Sequence, residues 1–291
     1  MKKISLLSLL TILFSCNSNN EKADGYGNFE ATEVTISSEA NGKIEFLKLE
    51  EGDILLPKTQ VGLVDTMQLY FAKQQLIASK NTIFSKSANV LSQRKVLQEQ
   101  LKTTTIEKNR IHNMFAENAA TKRQVDEING RVNVLEEQIK SVETQNAPIL
   151  NEIQSVEVQI KKIEDQIQKS KIINPIKGTV LVKYAEPNEV TSFGKPLYKI
   201  ADISEMTLRV YISEEQLATV KIGQKVKVTI DSSKDLKSYS GSIVWIASEA
   251  EFTPKIVQTK EERVNLVYAV KLLVKNDGSL KIGMPGEMWL N

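Results

Sequence analysis

The strongest constraint on this chain's fold is a repeat within the chain itself, offset by 136 positions with no gap. Residues 36–66, ISSEANGKIEFLKLEEGDILLPKTQVGLVDT, align with residues 172–202, IINPIKGTVLVKYAEPNEVTSFGKPLYKIAD. Gly42 meets Gly178, Ile44 meets Val180, Phe46 meets Val182, Ile54 meets Val190, Val61 meets Leu197 and Val64 meets Ile200. Gly52 meets Asn188, and Asn is among the few residues that tolerate the left-handed conformation glycine supplies. Each copy alternates apolar and polar residues over short stretches divided by turn residues, the pattern of half-buried strands. Two such copies pair as the halves of one small β-sandwich.

The segment between the copies, residues 67–171, reads as helix. Its only glycine is Gly130, its only proline is Pro148, and Gln, Lys, Glu, Leu and Ile dominate it. Steps of three and four from Val125 reach Ile128, Val132, Leu135, Ile139, Val142, Asn146, Ile149, Ile153, Val156, Ile160, Ile163 and Ile167. This is a coiled-coil seam with one polar member, Asn146. The first part is looser: Leu69, Leu76, Ile83, Val90, Leu97 and Ile111 recur every seven residues, with Thr104 interrupting. A fold-back hairpin accounts for both parts, with its turn near Asn118 and Thr121 as N-cap of the descending arm. Each arm of about 50 residues spans roughly 75 Å at the helical rise. Pro148 leaves the Thr144 carbonyl without its donor, so a kink or short break is expected there.

At the N-terminus, Met1, Lys2 and Lys3 precede the apolar run ISLLSLLTILF, of signal-peptide length and short for a bilayer span. The run ends in Leu13-Phe14-Ser15-Cys16, which resembles the bacterial lipobox, and polar NSNNEKADG follows. Cys16 is the only cysteine, so no internal disulfide explains it. Cleavage before Cys16 removes Lys2 and Lys3 and no acidic residue, lowering 38 basic side chains to 36 against 36 acidic ones. A neutral chain with no extended basic tract excludes nucleic acid as an expected partner. No later stretch approaches eighteen consecutive apolar residues, so the mature chain is expected to be anchored to a membrane rather than to span it.

After Asp202 the alternation of strands returns. Met206–Ile212, Gln224–Ile230, Gly241–Ala247, Asn265–Val274 and Glu287–Leu290 read as strands, with a short helical turn at Glu214–Leu217 and a tight turn at Lys221-Ile222-Gly223. Short strands at this spacing predict a small antiparallel barrel. The expected organisation is a signal peptide over 1–15, a lipidated flexible linker over 16–30, a split β-domain from 31–66 and 172–202, a helical hairpin over 67–171 and a barrel over 203–291.

This arrangement resembles the HlyD family of membrane-fusion, or periplasmic adaptor, proteins over nearly the whole mature chain. The matching phrases are Gly42-Lys-Ile with Glu51-Gly52-Asp53-Ile54, Asn174-Pro175-Ile176-Lys177-Gly178-Thr-Val180, and the barrel phrases VKIGQKVKVTID and LKIGMPGEMWL. The resemblance implies that the split β-domain is a lipoyl-like β-sandwich, and that the chain is an adaptor, lipid-anchored through Cys16 to the inner membrane and facing the periplasm. Its implied partners are an inner-membrane transporter and an outer-membrane channel of the TolC type, with homo-oligomers as hexamers or trimers of dimers. At the tip, Arg110, Met114 and Thr121 stand where many family members carry Arg, Leu and Ser for channel contact. Met and Thr depart from that pattern while keeping an apolar knob and a hydroxyl. The stretch Glu251-Phe-Thr-Pro-Lys with Val257-Gln-Thr-Lys-Glu-Glu-Arg263 is similar to adaptors serving ABC-type exporters.

Other functions fit less well. Lipoyl and biotinyl carriers need an acceptor Lys at the hairpin between the two halves, and here the helical insertion occupies that place. No catalytic triad, paired-carboxylate or phosphate-loop constellation stands out, so no enzyme and no cofactor are expected. His112, the only histidine, has no second ligand to make a metal site. A structural coiled-coil envelope lipoprotein is the alternative, and the split repeat and barrel argue against a mere spacer. Cys16→Ser should yield a precursor or a soluble protein on cell fractionation; a correctly processed variant held equally tightly in the membrane fraction would contradict the lipid anchor.

Overall fold

The computed structural model describes residues 22–231, 236–252 and 266–290. In chain order the elements are β1 (Gly25–Glu30), β2 (Glu33–Ser37), β3 (Gly42–Leu47), β4 (Ile54–Leu55), β5 (Gln60–Val64), α1 (Met67–Ala116), α2 (Lys122–Lys169), β6 (Lys171–Ile173), β7 (Gly178–Lys183), β8 (Val190–Thr191) and β9 (Pro196–Ala201). Then come β10 (Glu205–Ile212), α3 (Glu214–Leu217), β11 (Lys225–Asp231), β12 (Leu236–Ile246), β13 (Glu251–Phe252), β14 (Leu266–Lys275) and β15 (Pro285–Trp289). Two compact units result: Val34–Ile200, and the segment up to Glu33 combined with Ala201–Asn291.

The first unit contains two four-stranded sheets, ordered β2-β9-β7-β4 and β6-β5-β3-β8. The 136-residue shift carries β2, β3, β4 and β5 onto β6, β7, β8 and β9. Each sheet therefore takes its central strands from one copy of the repeat and its edge strands from the other. The hydrogen bonds repeat with the same offset. Gly52 N–H donates to the Val180 carbonyl at 2.9 Å and Asn188 N–H to the Ile44 carbonyl at 2.8 Å. Val180 and Ile44 donate in turn to Asp53 and Glu189. Asn188 has φ 73° where Gly52 has φ 96°, so both copies use the left-handed turn. Between the sheets, Ile44, Leu47, Val61, Val64, Ile172, Val180, Leu197, Tyr198 and Ile200 form the buried core.

Asn174 is the polar plug of this core, fully buried. Its side-chain amide donates to the carbonyls of Leu56, at 2.9 Å, and Ile176. Its side-chain oxygen accepts from the Tyr198 hydroxyl at 3.1 Å. Burial pushes the Tyr198 phenol up to about 12, so it stays protonated and remains a donor at neutral pH. The partner position in the other copy, Ser38, is also buried and donates to the Ala40 carbonyl at 2.7 Å.

The two helices rise from adjacent strands, since Leu63 of β5 pairs with Lys171 of β6. On α2 the seam residues Val125, Ile128, Val132 and Val156 are buried. The α1 seam differs. Between its apolar positions stand Lys73, Lys80, Ser87, Arg94, Leu101 and Lys108, again seven apart. Lys73 pairs with Glu164 at 2.8 Å, Lys80 with Glu157 at 2.7 Å and Arg94 with Glu143 at 3.6 Å. The Lys and Arg stems can lie along the seam while their charges reach the α2 flank. Ser87, also buried, donates to the Asn146 side-chain oxygen at 2.7 Å, which satisfies the one polar member of the α2 seam. This ladder is why the first arm reads as irregular in hydrophobicity.

Of the kink or short break expected at Pro148, the break does not occur: α2 runs unbroken from Lys122 to Lys169 through it. Both Pro148 and Thr144 are exposed, so water can satisfy the carbonyl that the proline leaves free.

In the second unit β10, β1, β15, β11, β12 and β14 follow one another, and pairing of β10 with β14 closes the barrel, with β13 added beside β14. Gly25–Glu30, expected in a flexible linker, is thus a barrel strand. Phe29 is fully buried and lies opposite Leu208. Glycine makes this closure possible, because a Cβ on Gly27 would lie 1.7 Å from the Arg209 carbonyl oxygen. The barrel also has internal two-fold character. Gly223 donates to Ile243 and Gly283 to Phe29, each at 2.8 Å. Ile243 donates back to Gln224 and Phe29 to Met284, each at 2.9 Å. So β1, from the start of the chain, occupies the place in one half that β12 occupies in the other.

Asn174→Ala is expected to destabilise the first unit by on the order of 2 kcal/mol, because it strips partners from a buried hydroxyl and two carbonyls. Tyr198→Phe should cost less, about 1 kcal/mol. Urea denaturation followed by fluorescence and circular dichroism checks both values.

Candidate functional site

The hairpin tip is built by local chemistry. At the end of α1, Ala119 N–H donates to the Met114 carbonyl at 2.7 Å and Asn118 N–H to the Phe115 carbonyl at 3.1 Å. Asn118 takes a left-handed φ of 57°, which turns the chain out of the helix. Thr121 then caps α2. Its hydroxyl accepts from Gln124 N–H at 3.3 Å, while the Gln124 side-chain oxygen accepts from Thr121 N–H at 2.8 Å. This reciprocal capping box satisfies two otherwise orphan donors and sets the direction of the descending arm.

All three predicted tip residues lie at this end of the hairpin, and all are exposed. Arg110 and Met114 are one turn apart on α1, and Thr121 stands across the turn. The Arg110 guanidinium forms an ion pair with Glu107, yet 69% of its side chain is open to solvent, so its other donors are free to reach a partner. His112 meets Asn129 across the two arms at 3.3 Å, a tie between the helices just below the turn. Met114 and Phe115 expose 40% and 42% of their surfaces. Phe115 joins the three predicted residues at the tip. It follows Ile111 by four residues and so reads as a buried seam position, but α2 begins only at Lys122 and the seam runs out of facing helix there.

The tip thus offers a multi-donor cation, two apolar side chains and a hydroxyl on a rigid helix end. That set suits docking against another protein. Among the described residues, no three His, Cys, Asp or Glu side chains come together in a way that could hold a metal ion. Among those same residues, no helix is long and apolar enough to cross a membrane. Cys16 and residues 257–263 lie outside the described residues. Glu251, at the start of the latter phrase, holds Arg209 of the barrel through contacts of 2.8 and 2.9 Å.

No family model matches the chain. The UPF0194 membrane protein YE2891 of Yersinia enterocolitica is 34% identical over 120 residues, 41% of this chain and 36% of that protein. A UPF0194 membrane protein of Yersinia pestis matches with the same identity and coverage, 34% over 120 residues, 41% and 36%. The chain therefore spans about a third of the length of these curated relatives (36%). Among solved structures, MacA from Actinobacillus actinomycetemcomitans is similar with a TM-score of 0.54 at 20% identity, covering 91% of this chain and 76% of that one. The membrane fusion protein Spr0693 from Streptococcus pneumoniae R6 gives a TM-score of 0.49 at 16% identity, covering 91% of this chain and 97% of that one. A hairpin of two long helices set in a split sandwich, together with a small closed barrel, is the architecture expected from the HlyD resemblance, and this chain has the fold of the membrane-fusion proteins.

Proposed function

We propose that this protein is a periplasmic adaptor that links an inner-membrane transporter to an outer-membrane channel for the export of drugs, toxins or other small molecules. The observation that carries this reading is the hairpin. Two helices of 50 and 48 residues are rooted in paired strands of an interlocked sandwich and end in exposed Arg110, Met114, Phe115 and Thr121. These side chains are exposed at the end of the hairpin, and a reach of roughly 75 Å suits contact at a distance from the sandwich. Lipid on Cys16 anchors the protein at the inner membrane, as Leu13-Phe14-Ser15-Cys16 supports. The phrase around Glu251 favours an ABC-type transporter. Several copies, as hexamers or trimers of dimers, enclose the conduit. The work is mechanical and involves no chemistry on the cargo.

Arg110→Glu should abolish export while leaving abundance, processing and melting temperature nearly unchanged, because an exposed charge adds little to folding. Arg110→Lys should give an intermediate defect, since an ammonium lacks the planar fork of guanidinium. Ile153→Asp, in the α2 seam, should instead lower the melting temperature by burying an unpaired charge. A drug-susceptibility assay beside a thermal melt, with co-purification of the transporter, separates these outcomes. Full export by Arg110→Glu would sink the tip assignment.

A further inference from the structure

The ties between the two arms are unevenly spaced. From the base upward they are Lys73–Glu164, Lys80–Glu157, Ser87–Asn146 and Arg94–Glu143. Above these, no hydrogen bond or ion pair is recorded between the arms, among the described residues, until His112 meets Asn129. Within that interval both helices are locally weak. On α1, Thr103, Thr104 and Thr105 stand in succession, and each hydroxyl bonds the carbonyl four residues back, at 3.0, 2.8 and 2.7 Å. Such back-bonding bends helices, and threonine is a poor helix former. Thr104 also occupies a seam position, so this layer loses an apolar contact.

The register of the ion pairs places Thr104 level with Asn133 and Gly130 level with Glu107. Gly130, the only glycine in either helix, is thus within a turn of the threonine triplet on the opposing arm. Low helix propensity on both arms, a threonine in the α1 seam and an interval without polar ties coincide at one height. We propose that the hairpin has a hinge here, about which residues 106–129 move as a separate unit carrying the tip. The other irregular level, at Pro148, differs: Ser87–Asn146 ties the arms there, with ion pairs above and below.

Hydrogen–deuterium exchange on the full chain tests this. Amides in 103–107 and 129–133 should exchange at least tenfold faster than those in 145–151 and in 125–128, beyond the hinge and past the first turn of α2. The triple variant Thr103→Ala, Thr105→Ala and Gly130→Ala should abolish that local maximum and raise the melting temperature by about 2 to 4 °C. The substitutions fit, since Thr103 and Thr105 are exposed and a Cβ at Gly130 meets nothing within 4 Å. Protection that declines steadily from the sandwich to the turn would overturn the hinge, as would a maximum that survives in the triple variant. If the tip reading above holds, stiffening should also lower export severalfold, and undiminished export would overturn the hinge's role in transport. Full export by Arg110→Glu would count against the tip reading alone, because the exchange result does not depend on any partner.

Discussion

Everything in the first unit depends on the interlock of the two sandwich halves. Neither copy of the repeat can complete a sheet alone, because each sheet draws its centre from one copy and its edges from the other. Closing this sandwich means bringing residues more than a hundred positions apart into register. The entropic cost of such a closure grows only slowly with loop length, so a long insertion is tolerated. A helical insertion costs less still, because its two arms pack on one another. The result is a base in which β5 and β6 are paired, so that α1 and α2 start side by side.

From that base, two kinds of interaction divide the work along the hairpin. Full burial of an Ile or Val, as at Ile128 and Val132 of the α2 seam, contributes roughly 1.5–3 kcal/mol. Each surface ion pair of the ladder contributes about 0–1 kcal/mol. The apolar seam therefore supplies most of the stability. The ladder supplies alignment: its ion pairs lie seven or fourteen residues apart on both helices, so a slip of the arms would break several pairs together. Lys80 holds the Glu157 carboxyl below its usual range, a shift whose alignment effect is present above the ordinary carboxylate pKa and is lost as pH falls through the lowered one.

The barrel applies two-fold construction a second time, with a different solution at the join. One half of the barrel is contiguous in the chain from β10 through β12, while the other is assembled from β14, β15 and β1. The strand nearest the N-terminus is therefore structural, with Phe29 in the core beside Leu208 and Met288. Loss of β1 would leave β10 and β15 with unpaired edges.

The repeat, the heptad seam, the tip turn at Asn118 with its Thr121 cap and the alternation of the barrel strands were all legible in the sequence alone. Each rests on a local rule: side-chain periodicity, the left-handed tolerance of Gly and Asn, or the capping preference of Thr. Tertiary structure decided the rest, where a residue's role depends on what faces it. GYGNFE has no apolar alternation to announce a strand, and only closure against β10 and β15 makes it one. The cationic seam positions of α1 look like defects until glutamates of α2 stand opposite. Pro148 looks like a break, yet α2 continues through it, with the Thr144 carbonyl it leaves free open to water. Phe115 reads as buried seam, and is exposed because α2 begins too late to cover it. Periodicity reports the face a residue points to, and only packing determines whether that face meets core, charge or solvent.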